Sequence, residues 1–366
     1  MLGISIYPYK EVQSETFAYI KAAAKYGFGR VFTNLLMIEP GTEEEVLTGM
    51  KKAIQYARKF DMEVILDLNP AVFDQLGISY SDLSFFEEMG ATGIRLDSSF
   101  DGLAESLMTF DKSGLDLEVN ISNYTHYVEN VLSYQSNKKK IIGCHNFYPQ
   151  RYTGLDYNYF IQCSEKYKKL GLRTAAFVNS QVANHGPHIY TDGLCTLENH
   201  RDLLIEIQAK HLIATGLIDD IIIANAYASE DELRKLSILN QEQIELTVEF
   251  NDGNTELEKE IILKNQHFNR GDINSYSIRS TFVKLEYGHE DIPPNNCYDE
   301  INFGDITIGN NDFGQYKAEV NIVKQTMSNK KHEKNVVARI TSNNQFLVDY
   351  IKPWTKFVFK EVENHE

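Results

Sequence analysis

Residues 62–70 read MEVILDLNP. Val64, Leu66 and Leu68 alternate with Ile65, Asp67 and Asn69, so a strand here carries one apolar row and one row ending in polar groups. Similar short β-branched or apolar runs lie on both sides. They are LGISIYP from Leu2, RVFTNLL from Arg30, GIRLDSS from Gly93, DLEVNIS from Asp116, IIGCHNFYP from Ile141, RTAAFVNS from Arg173 and DDIIIANA from Asp219. Helical patterns separate them, such as EEEVLTGMKKAIQYARKF from Glu43 and YNYFIQCSEKYKKLG from Tyr157.

The punctuation agrees with this alternation. Thr42 with Glu45, and Ser229 with Glu232, have capping-box spacing at helix starts. Gly27, Gly90, Gly171 and Gly216 each close a helical pattern just before a strand, where a left-handed cap suits glycine. About eight strand–helix units in series imply a parallel sheet, and at that count closure into a (β/α)8 barrel over residues 1–240. A doubly wound open sheet is the alternative, but no GxGxxG follows the first strand.

Beyond Gln241 the pattern changes. ELTVEF, DINSYSIRSTFVKLEY, FGDITIG, YKAEVNIVKQ, NVVARITS and PWTKFVF alternate apolar and polar residues between turn-rich segments. This reads as a small antiparallel β domain, a barrel, over residues 241–366, making the whole chain α/β.

Composition narrows the function. The 366 residues carry a formal net charge of −16, against a general nucleic-acid or anionic-membrane surface. An anionic substrate would need a local basic pocket. Cys144, Cys163, Cys195 and Cys297 form no CxxC pair, which suits reduced thiols. MLGISIYPYK has no signal-peptide form, and no apolar run approaches the roughly 20 residues of a membrane span. A reducing compartment is expected, with no cofactor or metal. Oligomeric state, homo-oligomer included, is left open.

If the apolar rows face the helices, the opposite rows face into the barrel. Those rows hold Ser5 and Tyr7, Ile65, Asp67 and Asn69, Arg95 and Asp97, then Glu118, Asn120 and Ser122. His145, Asn179 and Asn225 end strands six, seven and eight, with Asn146 beside His145. Barrel interiors are normally filled by branched apolar side chains, so this ring suggests a polar pocket at the C-terminal strand ends. Blander readings exist: Arg95–Glu118 as an internal ion pair, His145 as a hydrogen-bonded core histidine, Glu198 as a first-turn helix residue, and Tyr7 as core.

Asp67 and Asp97 on neighbouring strands can come close together, and paired carboxylates suit glycoside hydrolysis. Paired aspartates also bind metals. The positions that other barrel chemistries need are not filled. Strand one has no HxH, strands six and seven have no lysine, and Cys144 should point away from His145.

LGISIYP, DLNP, RLD, CHNFYP, GLD, GLCTLENHR and RGDINSYSIRST, in this order, resemble the MupG-type 6-phospho-N-acetylmuramidases over nearly the whole chain. The resemblance implies a (β/α)8 barrel followed by a cyclophilin-like β-barrel, without prolyl isomerase activity. It implies exo-cleavage of 6-phospho-N-acetylmuramyl-β-1,4-N-acetylglucosamine during peptidoglycan recycling, in a bacterial cytoplasm. Asp67, Asp97 or Glu198, in the DLNP, RLD and TLE strings, would then supply the general acid. Candidate phosphate ligands are Arg151, His185 in the NHGPHIY stretch, Ser229 at a helix start and Arg279 in the second domain. Tyr7, Asn69, Arg95, Asn120, His145, Asn146, Asn179 and Asn225 complete the expected sugar contacts. Two other readings are a metal-dependent sugar-phosphate isomerase or lyase on the same barrel, and a non-catalytic carbohydrate sensor.

Overall fold

The computed structural model describes residues 1–8, 14–35, 42–188 and 190–362. The chain forms two compact units, Met1–Leu239 and Asn240–Glu366.

The first unit is a closed barrel of eight parallel strands in chain order. They are β1 Leu2–Ser5, β2 Arg30–Asn34, β3 Glu63–Leu68, β4 Gly93–Leu96, β5 Asp116–Asn120, β6 Ile141–Cys144, β7 Arg173–Val178 and β8 Asp220–Ile223. Helices separate successive strands, among them Ser14–Lys25, Glu43–Arg58 and Tyr157–Lys169. The core lies between strands and helices: Val64, Leu66, Leu68, Ile94, Leu117 and Val119 are buried there in one cluster with Ile54, Phe86 and Val128. The four glycines at the helix ends all have positive φ, from 66° to 99°.

The two expected caps behave differently. Ser229 and Glu232 form the reciprocal capping box on Glu230–Ser237. Thr42 precedes Glu43–Arg58, but its backbone (φ −115°, ψ 5°) is not extended, and its side chain makes no cap hydrogen bond.

Register sets the site. Asn34 pairs with Asp67, Asp67 with Arg95, and Arg95 with Glu118, so four polar side chains occupy one level of four adjacent strands. Alternation sends all four to the same side, away from the helix-facing apolar rows.

The second unit holds β9 Ile244–Phe250, β10 His267–Phe268, β11 Ser277–Ser280, β12 Glu300–Ile301, β13 Asp305–Gly309, β14 Val320–Val323, β15 Met327–Ser328, β16 Lys334–Ile340 and β17 Lys356–Glu361. Seven of these make a sheet in the order β10-β17-β9-β16-β13-β14-β11, and β12 pairs with β15. The sheet is mostly antiparallel, as its alternation suggests. Two details differ from the sequence expectation. The first and last long strands, β9 and β17, pair in parallel, because side-chain alternation fixes faces and not direction. The long DINSYSIRSTFVKLEY run contributes only Ser277–Ser280 as strand and ends in the short helix Lys284–Tyr287.

Candidate active site

The row at the C-terminal half of β2 to β5 opens into a cavity of about 230 Å³. Asn34, Asp67, Arg95, Asp97, Asn146 and His188 supply its polar lining, and Phe32, Phe147 and Phe177 its apolar wall. The three rings meet edge to face, with centroids 5.0 to 6.1 Å apart. Pockets for small molecules combine such apolar walls with a few convergent polar groups.

Arg95 organises the polar side. Its Nη1 donates to Asp67 Oδ1 at 2.5 Å and to Asp97 Oδ1 at 3.3 Å, and its Nη2 donates to Asn146 Oδ1. Its Nε lies 3.7 Å from Glu118 Oε1. Glu118 is fully buried and accepts a hydrogen bond from Arg30, whose other nitrogen donates to Asp220 at 2.5 Å. Charge therefore alternates along a buried chain, Asp220–Arg30–Glu118–Arg95–Asp67. A buried ion survives only when paired in this way.

The two aspartates differ in environment. Asp67 is buried, whereas the Asp97 side chain is 43% exposed at the cavity. Burial pushes the Asp67 carboxyl up to about 7, and the Asp97 and Glu118 charges add to this against the pull of Arg95. Asp67 can thus hold a proton near neutral pH while a second carboxylate stands on the same guanidinium nitrogen. A group poised in this way can protonate a leaving oxygen. Among the described residues, no group of three or more His, Cys, Asp or Glu is placed to hold a metal ion. The positive charge between the aspartates is that of Arg95.

Several expected site residues lie elsewhere. Glu198 follows Leu197 in a short turn, where Arg201 clamps it at 2.6 and 2.8 Å and the Tyr152 and Gly154 N–H groups donate to it. These contacts hold its carboxyl down at about 2, the wrong direction for a general acid. Gly154 is needed there, since a Cβ would stand 2.8 Å from the Glu198 backbone nitrogen. Thus the GLD and GLCTLENHR strings lock two loops together, and Asp156 of GLD also caps Tyr157–Lys169.

His145 is fully buried on the helix side of β6. Its Nε2 lies 2.8 Å from Ser164 Oγ, its ring lies against Phe160, and burial drives its pKa down to about 3. It is a neutral core histidine. Cys144 points the other way, beside Glu118, Arg95 and Arg30, and burial keeps its thiol protonated. Asn179 is spent on Leu194 N–H and the Arg201 carbonyl, and Asn225 on the backbone of Ser180 and Ala183. Asn69 caps Pro70–Leu76, and Asn120 accepts from Ser122 N–H. Each of these polar strand ends fixes a loop.

The phosphate candidates also have other partners. Arg151 forks onto both Asp192 and Asp202, each at 2.7 Å. Ser229 opens a helix whose first turn carries Glu230, Asp231 and Glu232, which repels an anion. Arg279 pairs with Glu319 inside the second unit. The His185 ring stacks on Tyr227, with Tyr7 at its edge, and the Tyr7 hydroxyl donates to the Ala224 carbonyl. Of the expected residues, Asp67, Asp97, Arg95 and Asn146 are brought together at the cavity.

Five cavity residues escaped the sequence reading, Phe147 among them although it lies in the IIGCHNFYP run. Phe32 and Asn34 share the inward row of β2, and the alternation applied to β3 would have found them. Phe177 and His188 gave no comparable signal. Arg30, which links Asp220 to Glu118 in the buried charge chain, begins a strand, where a charge ordinarily signals an exposed end.

Two family profiles match the chain. One, described as 6-phospho-N-acetylmuramidase, N-terminal, covers residues 2–238, and the other, 6-phospho-N-acetylmuramidase, C-terminal, covers residues 244–360. The chain belongs to the 6-phospho-N-acetylmuramidase family. The family name carries a glycosidase activity, and the paired carboxylates of the cavity suit one. Among solved structures, an uncharacterized B. cereus protein is 51% identical, with a TM-score of 0.90 over 98% of this chain and 99% of its own. A conserved Enterococcus faecalis protein of unknown function is 24% identical, with a TM-score of 0.68 over 99% of this chain and 96% of its own, and shares the fold. No curated protein matches the chain. No helix among the described residues of this 6-phospho-N-acetylmuramidase family member is long and apolar enough to cross a membrane.

Proposed function

We propose that the chain is an exo-acting glycoside hydrolase that cleaves 6-phospho-N-acetylmuramyl-β-1,4-N-acetylglucosamine, releasing 6-phospho-N-acetylmuramic acid and N-acetylglucosamine, in bacterial cytoplasmic peptidoglycan recycling. The family supports the substrate. The observation that carries the chemistry is the pair Asp67 and Asp97, both hydrogen-bonded to one nitrogen of Arg95 in a cavity.

In this reading Asp67 protonates the glycosidic oxygen as the bond to N-acetylglucosamine breaks. Asp97 stabilises the developing positive charge at the sugar carbon, either directly or by holding the acetamido group that attacks it. Arg95 keeps both carboxyls in place, and after N-acetylglucosamine leaves, a water from solvent, giving its proton to the now ionised Asp67, adds at that carbon and completes the hydrolysis. His188 is the cavity residue best suited to the phosphate. It stands exposed at the lining, whereas Arg95 is engaged by carboxylates. Replacing Asp67 and Asp97 separately by asparagine tests the assignment. Each variant, folded as the parent, should lose about 10²–10⁴-fold in kcat, as expected for a positioned acid or its partner. Near-parental turnover in both would overturn it.

A further inference from the structure

The second unit contains a larger cavity, of about 580 Å³, with an unusual tryptophan at its edge. Trp354 is the chain's single tryptophan. It occupies the third position of a turn that begins at Lys352, contains Pro353 and is closed by the Thr355 N–H on the Lys352 carbonyl at 3.1 Å. Its φ is +64°, a conformation that this turn position ordinarily reserves for glycine or asparagine. Packing does not bury the ring in return: Trp354 is 55% exposed.

The surroundings hold that indole in place. A Cβ on Gly271 would stand 2.7 Å from three atoms of the ring, so the indole lies directly on the Gly271 backbone. The Trp354 backbone N–H donates to the Asn269 carbonyl at 3.0 Å and fixes the turn that carries the ring. Phe268 stacks beside the indole at 6.1 Å and 28°, and Phe282, itself 51% exposed, continues the row at 4.9 Å from Phe268. A strained, supported and still solvent-facing aromatic row is a surface shaped for contact with something else.

The polar rim narrows the choice. Arg270 forks onto Asp272 at 2.6 and 2.9 Å. Lys284 Nζ lies over the Tyr316 ring and donates to the Gln315 carbonyl. Both cations already have partners, so the rim does not concentrate positive charge for an anion. It offers instead the Arg270–Asp272 pair, with Asp272 65% exposed, next to flat aromatic faces. A neutral sugar ring has the matching chemistry, with C–H groups for the rings and hydroxyls for the fork.

We propose that this cavity is a second saccharide site that binds a neutral N-acetylated amino sugar, with Trp354 as its platform and the Arg270–Asp272 fork as its polar contact. The choice of an amino sugar rests on the reaction proposed above, whose uncharged product is N-acetylglucosamine. The cavity and its geometry stand on the second unit alone.

Because Trp354 is the only indole, its fluorescence reports on this site and no other. The full-length protein is titrated with N-acetylglucosamine and its β-1,4-linked dimer. A saturable blue shift and protection from acrylamide quenching are expected, and both should be lost in Asp272→Ala. Asp272 is exposed, so that variant should fold, and its circular dichroism and melting curve check this. Absence of a saturable change in the parent protein, or the same change in Asp272→Ala, would overturn the proposal. So would a response to a proline-rich peptide without one to the sugars. Failure of the barrel reading shows separately, as no turnover of the phosphorylated disaccharide, and leaves the Trp354 titration intact.

Discussion

Arg95 Nη1 donates to Asp67 Oδ1 at 2.5 Å and also reaches Asp97 Oδ1 at 3.3 Å, so one guanidinium nitrogen ties together the two carboxyls that face the cavity. The pair is unequal because Asp67 is buried and Asp97 is half-exposed. In the proposed mechanism that inequality makes Asp67 the acid.

The raised Asp67 carboxyl predicts a pH dependence with a definite sign. An acid must be protonated to act, so kcat should fall as pH rises through about 7. The same shift acts on stability. The folded state holds this proton more tightly than the unfolded chain, so the contribution is full below the ordinary aspartate range and is lost as pH rises from there through about 7. Denaturant titrations at several pH values should show the parent protein losing stability over that window relative to Asp67→Asn. Parallel profiles for the two would contradict the shift.

Glu198 should behave in the opposite way. Its carboxyl is held at about 2, so its stabilising contribution is present above the ordinary glutamate range and is lost as pH falls through about 2. Glu198→Gln should lower the melting temperature at neutral pH and leave the pH limb of kcat near 7 in place. Loss of that limb would return Glu198 to the chemistry.

Substrate phosphate should be read by His188 and not by Arg151. His188→Ala is expected to raise KM for the phosphorylated disaccharide with a smaller effect on an unphosphorylated analogue. Arg151→Ala, which breaks the forks to Asp192 and Asp202, should affect both substrates alike. Steady-state kinetics on the two substrates decides this. Ser229→Ala should cost about 1 kcal/mol through its lost helix cap and leave KM unchanged.

The spacing of the two aspartates predicts stereochemistry. Two oxygens hydrogen-bonded to one nitrogen are closer than the roughly 6.5–9.5 Å that an inverting pair needs to admit a water. The anomeric configuration should therefore be retained, by Asp97 attack or by the acetamido group. Proton NMR of the first sugar released reads the outcome, and inversion would show that another residue activates the water.

Much of this was legible in the sequence. MEVILDLNP and GIRLDSS place Asp67 and Arg95 on inward rows because a strand's period of two leaves no other choice. The strand ends were harder to read. His145, Asn179 and Asn225 occupy positions where a polar side chain can face a ligand or tie down a loop, and the choice depends on loop backbones distant in sequence. Arg151 and Glu198 were attractive as single charges, but their partners Asp192, Asp202 and Arg201 become visible only once the loops close. The cavity contacts of Phe177 and His188, on and beyond β7, likewise depend on the closed barrel.

The most direct test is turnover. The purified full-length protein is incubated with 6-phospho-N-acetylmuramyl-β-1,4-N-acetylglucosamine and, in parallel, with the unphosphorylated disaccharide, and the products are read by mass spectrometry. The account predicts release of N-acetylglucosamine and 6-phospho-N-acetylmuramic acid from the first, with little or none from the second. No cleavage of the phosphorylated disaccharide, or equal cleavage of both, would contradict it.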